Sequence, residues 1–590
     1  MTVTKPAPSR RSQLWTGLLL NLLGWLVLSP APTQAAEKIY ISYGLLERSI
    51  PVSSLEAYAK DGTIDDDLAV YAQYGDAEQL ARLQSALVAR ADVDQVTVAQ
   101  FLYTPQGEVL LKRLGQVIQP ETRDSGFKAI RAALILAAAD PKGLTFLNIL
   151  RRFPTRALRI DVAQSLQIAA DVGQLIDQTQ RATTVVTQAA QQEQATDGIT
   201  IPFPDLRQRG SFTWQKQTIE LVDSSRSALR NPTLTRAVAP SAQAVLSEVL
   251  LDGTVGGRSI PVDLYLPNQT QPQSTVPVVV ISHGLGSDRT TFAYLAIHLA
   301  SYGFAVLVPE HPGSNAARLQ ALVTGTASEV SEPAEFVNRP LDITFVLNQV
   351  ESRVNATPEL RGRLNFQQVG VLGQSFGGYT ALALAGAPIN PQQLQASCQN
   401  LEETLNLSLL LQCRAGALAL PVPALQDGRI KAVFAINPIT SAVLGQASLS
   451  QVKVPTLLVT GNADTIAPAV PEQIQPFTWL ATNERYLVLM EGGTHFSTLD
   501  PTASKDVVPL PQEVIGPSPA TGRRYVNALA VAFFQTYIAN QPTYRSYLSS
   551  SYSNAISEAP LPLSILRTLT ADQLNQIAAS STQPITTAAP

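Results

Sequence analysis

Between residues 275 and 490 the sequence returns again and again to short, nearly unbroken apolar runs: Val276–Ile281, Phe304–Val308, Val369–Leu372, Ile430–Ile436, Thr456–Val459 and Tyr486–Met490. A strand with one wet face alternates apolar and polar residues. A run apolar at every position must be buried on both faces. Helical stretches separate the runs, around Ala293–Ser301, Pro340–Val350 and from Gly377 onward. Strand–helix alternation of this kind predicts an α/β domain, a mostly parallel sheet with helices on both sides. Two opening strands, Thr213–Val222 and Ile260–Leu266, precede the series. About forty residues, Pro388 to Asp427, interrupt it.

At 590 residues the chain exceeds one ordinary domain. Residues 1–35 read as a signal peptide: Lys5, Arg10 and Arg11, then an apolar run from Leu14 to Leu28, then small residues suited to cleavage near Ala35. That run of about fifteen residues is short of the ~20 needed to span a bilayer. Export to the periplasm or the exterior is the expectation, and an uncleaved N-terminal anchor the alternative. Ser9 to Leu14 resembles a twin-arginine signal, with Gln13 in place of the usual aromatic. Residues 36–190 are expected to form a smaller, mainly helical accessory domain. Asp76 caps a helix carrying Leu80, Leu83 and Leu87, and Leu158, Val162, Leu166 and Ala169 repeat at helical spacing. A linker at 191–210, an α/β domain at 211–545 and a Ser-, Ala- and Pro-rich tail at 546–590, around a short helical signal from Leu561 to Ile577, complete the expected layout.

A formal net charge of −4 provides no basic footprint for nucleic acid. The two cysteines, Cys398 and Cys413, are fifteen positions apart. In an oxidising compartment they suggest one disulfide, stabilising by about 3 kcal/mol through chain entropy; two buried thiols is the alternative. No His lies near them and four-ligand spacing is absent, so metal binding is not indicated. No phosphate-binding loop is present.

Gly373-Gln374-Ser375-Phe376-Gly377 stands directly after one apolar run and before Ala381-Leu382-Ala383-Leu384-Ala385. At such a strand-to-helix turn a serine is held on a tight bend at the N-terminus of a helix, with small flanking residues allowing close approach. A serine hydroxyl needs a base to act as a nucleophile. Of the four histidines, His298 lies within an apolar helix, and His283 and His311 precede the serine. Only His495, on the loop after the last apolar run, satisfies the order serine, acid, histidine. Asp464, after Thr456–Val459, is the candidate acid that holds the imidazole in its working tautomer. Glu491 and Asp500 are too close to His495 in sequence, and Asp342 sits on an early helix. Ser282-His283-Gly284-Leu285-Gly286 follows another run. Its Leu285 N–H, with that of Phe376, is the expected oxyanion donor pair, and His283 is read as a loop-ordering residue.

The run Pro277 to Glu310, PVVVISHGLGSDRTTFAYLAIHLASYGFAVLVPE, with GQSFGG at 373–378, resembles platelet-activating-factor acetylhydrolases and dienelactone-hydrolase-like bacterial esterases. DTIAP at 464–468 and GGTHFS at 492–497 are similar to cutinase-like polyester hydrolases. The resemblance covers about 211–545 and implies the α/β-hydrolase fold and a serine carboxylic-ester hydrolase without cofactor. The helical N-terminal region resembles an uncharacterised extra domain that precedes some bacterial members. Acetylhydrolases of this kind place their acid after the sixth strand, where this chain has the uncharged Asn437; the acid is therefore expected from Asp464, which leaves the phospholipid substrate open. Small or short-chain lipid-like esters are the expected substrates, with peripheral membrane contact compatible with the latter. An amidase or peptidase, and a non-catalytic envelope binding protein, are the alternatives. The insertion 388–427, with Leu405, Leu407, Leu409, Leu410 and Leu411, reads either as a lid over an acyl pocket or as a packed helix stapled by its cysteines.

Overall fold

The computed structural model describes residues 36–44, 46–91, 93–197, 204–226, 257–268, 275–500 and 512–578. The expected signal peptide lies outside these residues. The chain divides into two compact units, the first running to Ala99 and resuming over Leu111–Ser165, the second comprising Gln100–Leu110 and everything from Leu166.

The first unit differs from the helical expectation. Its helices include Val52–Asp61, Ala77–Val88 and Phe127–Ala139, but they accompany a four-stranded sheet. Leu158, expected on a helix, lies on the strand Ala157–Asp161, which pairs in parallel with Lys38–Ser42. A pairing across more than a hundred residues leaves no trace in local periodicity, so a helical spacing that began one element too early was misleading. Asp76 does cap its helix, in a reciprocal capping box with Gln79.

The second unit is built on a nine-stranded sheet. Its strands are β1 Trp214–Asp223, β2 Arg258–Pro267, β3 Val276–Ser282, β4 Ala305–Pro309, β5 Leu364–Gln374, β6 Ile430–Ile436, β7 Thr456–Gly461, β8 Arg485–Met490 and β9 Leu563–Leu566. They lie in the order β9-β8-β7-β6-β5-β3-β4-β2-β1. The neighbours from β4 through β3 to β8 are parallel, and β1, β2 and β9 run antiparallel to their partners. The apolar runs are explained directly. On β3, Val278 and Val280 pack into one core while Val279 and Ile281 pack into the other. The helices used below are α1 Val162–Asp197, α2 Ala293–Ser301, α3 Glu335–Ala356, α4 Phe376–Leu384 and α5 Pro519–Tyr537. The first core takes α3, α4 and the later part of α1; the second takes α2 and the wholly apolar centre of α5.

Two boundaries need correction. From Leu166 onward α1, assigned by sequence to the accessory domain and linker, belongs to the second unit: Ala182, Val186 and Ala189 are buried against its sheet, and Glu193 accepts the N–H groups of Arg567 and Thr568. A stripe of small residues on a Gln-rich helix reads as weakly amphipathic, yet it allows close packing on a sheet. The expected tail likewise supplies β9, paired with β8, and the helix Ser550–Ile556. The helical signal expected from Leu561 to Ile577 is met only by the helix Ala571–Ala578, since four strand residues were too few to stand out among serines and prolines.

The chain passes from β3 to β4 on one side and then returns to β5 on the other. Loops diverge at that reversal, so a crevice opens at the carboxyl ends of β3 and β5. The site described next lies there.

Candidate functional site

β5 ends at Gln374 and α4 begins at Phe376, leaving one residue to reverse the chain. Ser375 does so at φ 56°, ψ −115°, a left-handed conformation that non-glycine residues avoid. It is held there by its N–H on Ile436 O (2.8 Å) and its carbonyl on Tyr379 N–H (3.1 Å). The glycines on either side are sterically required. A Cβ on Gly373 would meet Gly377 O at 2.0 Å, and one on Gly377 would meet Ser282 O at 2.1 Å.

The loop after β8 brings His495 to this turn, anchored by Gln374 Nε2 on His495 O (3.1 Å). His495 Nε2 lies 2.9 Å from Ser375 Oγ, and Nδ1 lies 2.7 Å from Asp464 Oδ2. An ionised carboxylate only accepts, so Nδ1 carries the proton and the free Nε2 lone pair faces the hydroxyl. Asp464 is fixed by its own loop: Oδ1 accepts the N–H groups of Ile466 (2.8 Å) and Ala467 (2.7 Å). The structure thus brings together three residues spread over 120 positions. This arrangement can pass a proton from hydroxyl to imidazole while the carboxylate balances the resulting cation.

Leu285 lies on the loop after β3, and Phe376 is the first residue of α4. Among the described residues neither N–H has a hydrogen-bond acceptor within the protein. His283 orders that loop. Its Nδ1–H donates to Gly284 O (2.8 Å), and its Nε2 accepts from His311 N–H (3.0 Å). Burial, with the Arg339 cation adding to it, pushes its pKa down to about 3 and keeps it neutral. His298 donates from Nε2 to Leu206 O (2.9 Å) and is likewise held down, to about 4, by burial.

Sequence reasoning missed a second Ser–His–Asp chain. Ser282 Oγ is 3.0 Å from His311 Nε2, and His311 Nδ1 is 3.0 Å from Asp342 Oδ2. All three residues are completely buried. Asp342, set aside as a helix residue, is claimed by Arg258 through two hydrogen bonds (2.8 and 2.9 Å), and the guanidinium of Arg226 lies 2.9 Å away. Arg258 is also bidentate to Glu335; these carboxylates outweigh burial and raise its pKa. Arg339, also buried, donates to Ser282 Oγ, His283 O, Ser314 Oγ and Thr380 Oγ1 and lies over the Phe376 ring. It therefore ties the Leu285 loop to α4. With no exposed atom and no strained turn at Ser282, this second chain is scaffolding. Its polar residues, scattered through apolar sequence, carried no common spacing.

The insertion is packed, not free-standing. Cys398 and Cys413 form a disulfide, and Leu394, Leu411, Ala415 and Leu425 are buried in the first core. The buried Glu472 carboxylate accepts from Asn406, Ser408 and Gln412 of the insertion and from Thr440 and Ser441 N–H beyond β6. Among the described residues no helix is long and apolar enough to cross a membrane.

A family profile described as an alpha/beta hydrolase of unknown function matches residues 35–161, and one described as platelet-activating factor acetylhydrolase, isoform II, matches residues 240–342. Platelet-activating factor acetylhydrolases from Cavia porcellus and Canis lupus familiaris are 25% and 26% identical over 134 and 138 residues, 18% of this chain and 31% of each relative. Cutinase 2 from Thermobifida cellulosilytica is 24% identical over 299 residues, 50% of this chain and 79% of that protein. The chain thus spans under a third of the length of the acetylhydrolases it matches and about four fifths of the cutinase.

Proposed function

Since this chain belongs to the α/β-hydrolase superfamily, we propose that its second unit hydrolyses carboxylic esters, with Ser375 as nucleophile, His495 as general base and Asp464 as the acid that orients it. One observation carries the reading: an unbroken contact chain from carboxylate through imidazole to a hydroxyl held on a strained turn at the sheet's switch point. Ser375 Oγ attacks the ester carbonyl as His495 Nε2 takes its proton. The carbonyl oxygen, now an anion, receives the N–H groups of Leu285 and Phe376. His495 returns the proton to the departing alcohol, leaving an acyl-serine that water hydrolyses by the same steps. Small or short-chain lipid-like esters fit the names of both groups of relatives, which are acetylhydrolases and cutinases. Export fits the disulfide, which persists in oxidising compartments.

The test is turnover of p-nitrophenyl esters of rising acyl length beside the matching anilides, with fluorophosphonate labelling. Wild type is expected to label at Ser375 and to cleave esters far faster than anilides. Ser375→Ala is expected to lose at least ~10⁴ in kcat. Ester turnover surviving in Ser375→Ala would reject the reading. Preferred anilide cleavage would transfer it to amides, and a chain that neither labels nor turns over would be a binding protein on this fold.

A further inference from the structure

Asn437 was set aside in the sequence because an amide has no charge to offer an imidazole. The structure gives it a different task. It follows the end of β6, its N–H on Val459 O (2.8 Å), and its backbone takes φ 43°, in the left-handed region that asparagine tolerates better than most residues. That bend leaves the side chain buried, with Nδ2 2.7 Å from Asp464 Oδ2. The same oxygen receives His495 Nδ1–H, also at 2.7 Å. With Ile466 and Ala467 on Oδ1, the Asp464 carboxylate has four donors.

Resting on the ester-hydrolase reading, we propose that Asn437 is a positioning residue for the reaction: its amide N–H holds Asp464 Oδ2 at the point where it fixes the tautomer and angle of His495. The two backbone donors restrain only Oδ1. A carboxylate held on one oxygen can still move the other by coupled rotation about Cα–Cβ and Cβ–Cγ, and the imidazole follows. A donor on Oδ2 removes that freedom. It must also be a neutral donor, since a cation there would compete with the imidazolium for the charge Asp464 supplies. The backbone conformation and the buried amide both serve this contact, since Asn437 Nδ2 makes no other hydrogen bond among the described residues.

The deletion must spare the backbone, so Asn437→Gly is the variant of choice: glycine adopts positive φ freely. The assay is a double-mutant cycle with Asp464→Ala on kcat and KM for a p-nitrophenyl ester, circular dichroism confirming the fold of each protein. In the wild-type background Asn437→Gly is expected to lower kcat roughly ten- to a hundredfold, the size of one hydrogen bond to a charged group, with KM within about twofold. In Asp464→Ala it is expected to have no further effect, since its target is gone. The same fractional loss in both backgrounds, or a raised KM at unchanged kcat, overturns the proposal. If Asn437→Gly does not fold, Asn437→Ala is put through the same cycle with the same two readings. Ester turnover that survives Ser375→Ala sinks the ester-hydrolase reading instead, so the two failures are told apart.

Discussion

Asp464→Asn is nearly isosteric, yet the contacts around it dictate which way the new amide must lie. Oδ1 accepts two backbone N–H groups, from Ile466 and Ala467, so the amide oxygen has to occupy that side. The NH2 group then takes the position of Oδ2, which His495 Nδ1 and Asn437 Nδ2 both face at 2.7 Å. Donors would meet donors. Asn437 can turn its own amide to present oxygen, but the imidazole has only one remedy, to make Nδ1 the acceptor. Its proton then sits on Nε2, 2.9 Å from Ser375 Oγ, where a lone pair is needed. The expected loss in kcat is about 10⁴, the size known for a wrong-tautomer substitution, which corresponds to about 5 kcal/mol of transition-state stabilisation. KM should change little, because Asp464 is shielded from substrate by the imidazole. Steady-state hydrolysis of a p-nitrophenyl ester, normalised to the fraction of correctly folded protein by circular dichroism, measures both. Glu491→Gln serves as the control: that carboxylate accepts from Thr187 Oγ1 and should be dispensable for kcat. A kcat for Asp464→Asn within tenfold of wild type, or a loss as large in Glu491→Gln, would refute the assignment of the acid.

Arg258→Met removes the cation shared by Glu335 and Asp342 and leaves both carboxylates buried. It is expected to destabilise the second unit by about 3–5 kcal/mol in urea unfolding; a loss below ~1 kcal/mol would show that Arg226 or solvent compensates. The buried neutral histidines make stability depend on pH with a definite sign. His283 (about 3) and His298 (about 4) lie below the ordinary value near 6.5, and His311 is also held well below it, each chiefly by burial. The unfolded chain therefore binds more protons as pH falls below ~6.5. Their contribution is complete above that pH and declines below it, down to about 4 for His298 and about 3 for His283, by up to about 1.4 kcal/mol per pH unit for each histidine. Urea midpoints that fall from pH 7 to pH 5, with a shallower slope in His298→Asn, would agree; a midpoint independent of pH would contradict the burial of neutral imidazoles.

The sequence alone determined what short-range chemistry can encode. Val276–Ile281 and its counterparts announced strands buried on both faces, because a run without polar residues has no side to give to water. Ser375 between its glycines announced the turn, because few other patterns let a strand and a helix approach so closely. The order Ser375, Asp464, His495 narrowed four histidines to one. Tertiary structure decided what depends on meetings between distant segments. It made Ala157–Asp161 a strand by pairing it with Lys38–Ser42, turned the small-residue face of α1 into a wall of the core, and drew Leu563–Leu566 to the sheet edge. It also separated two Ser–His–Asp chains with similar contact distances, one on a strained turn at the switch point and one sealed among arginines. Residue type records what a side chain can donate or accept; only the fold sets which partners stand within 3 Å of it. That is why an uncharged residue such as Asn437 could be dismissed in the sequence and still stand within hydrogen-bond reach of the Asp464 carboxylate.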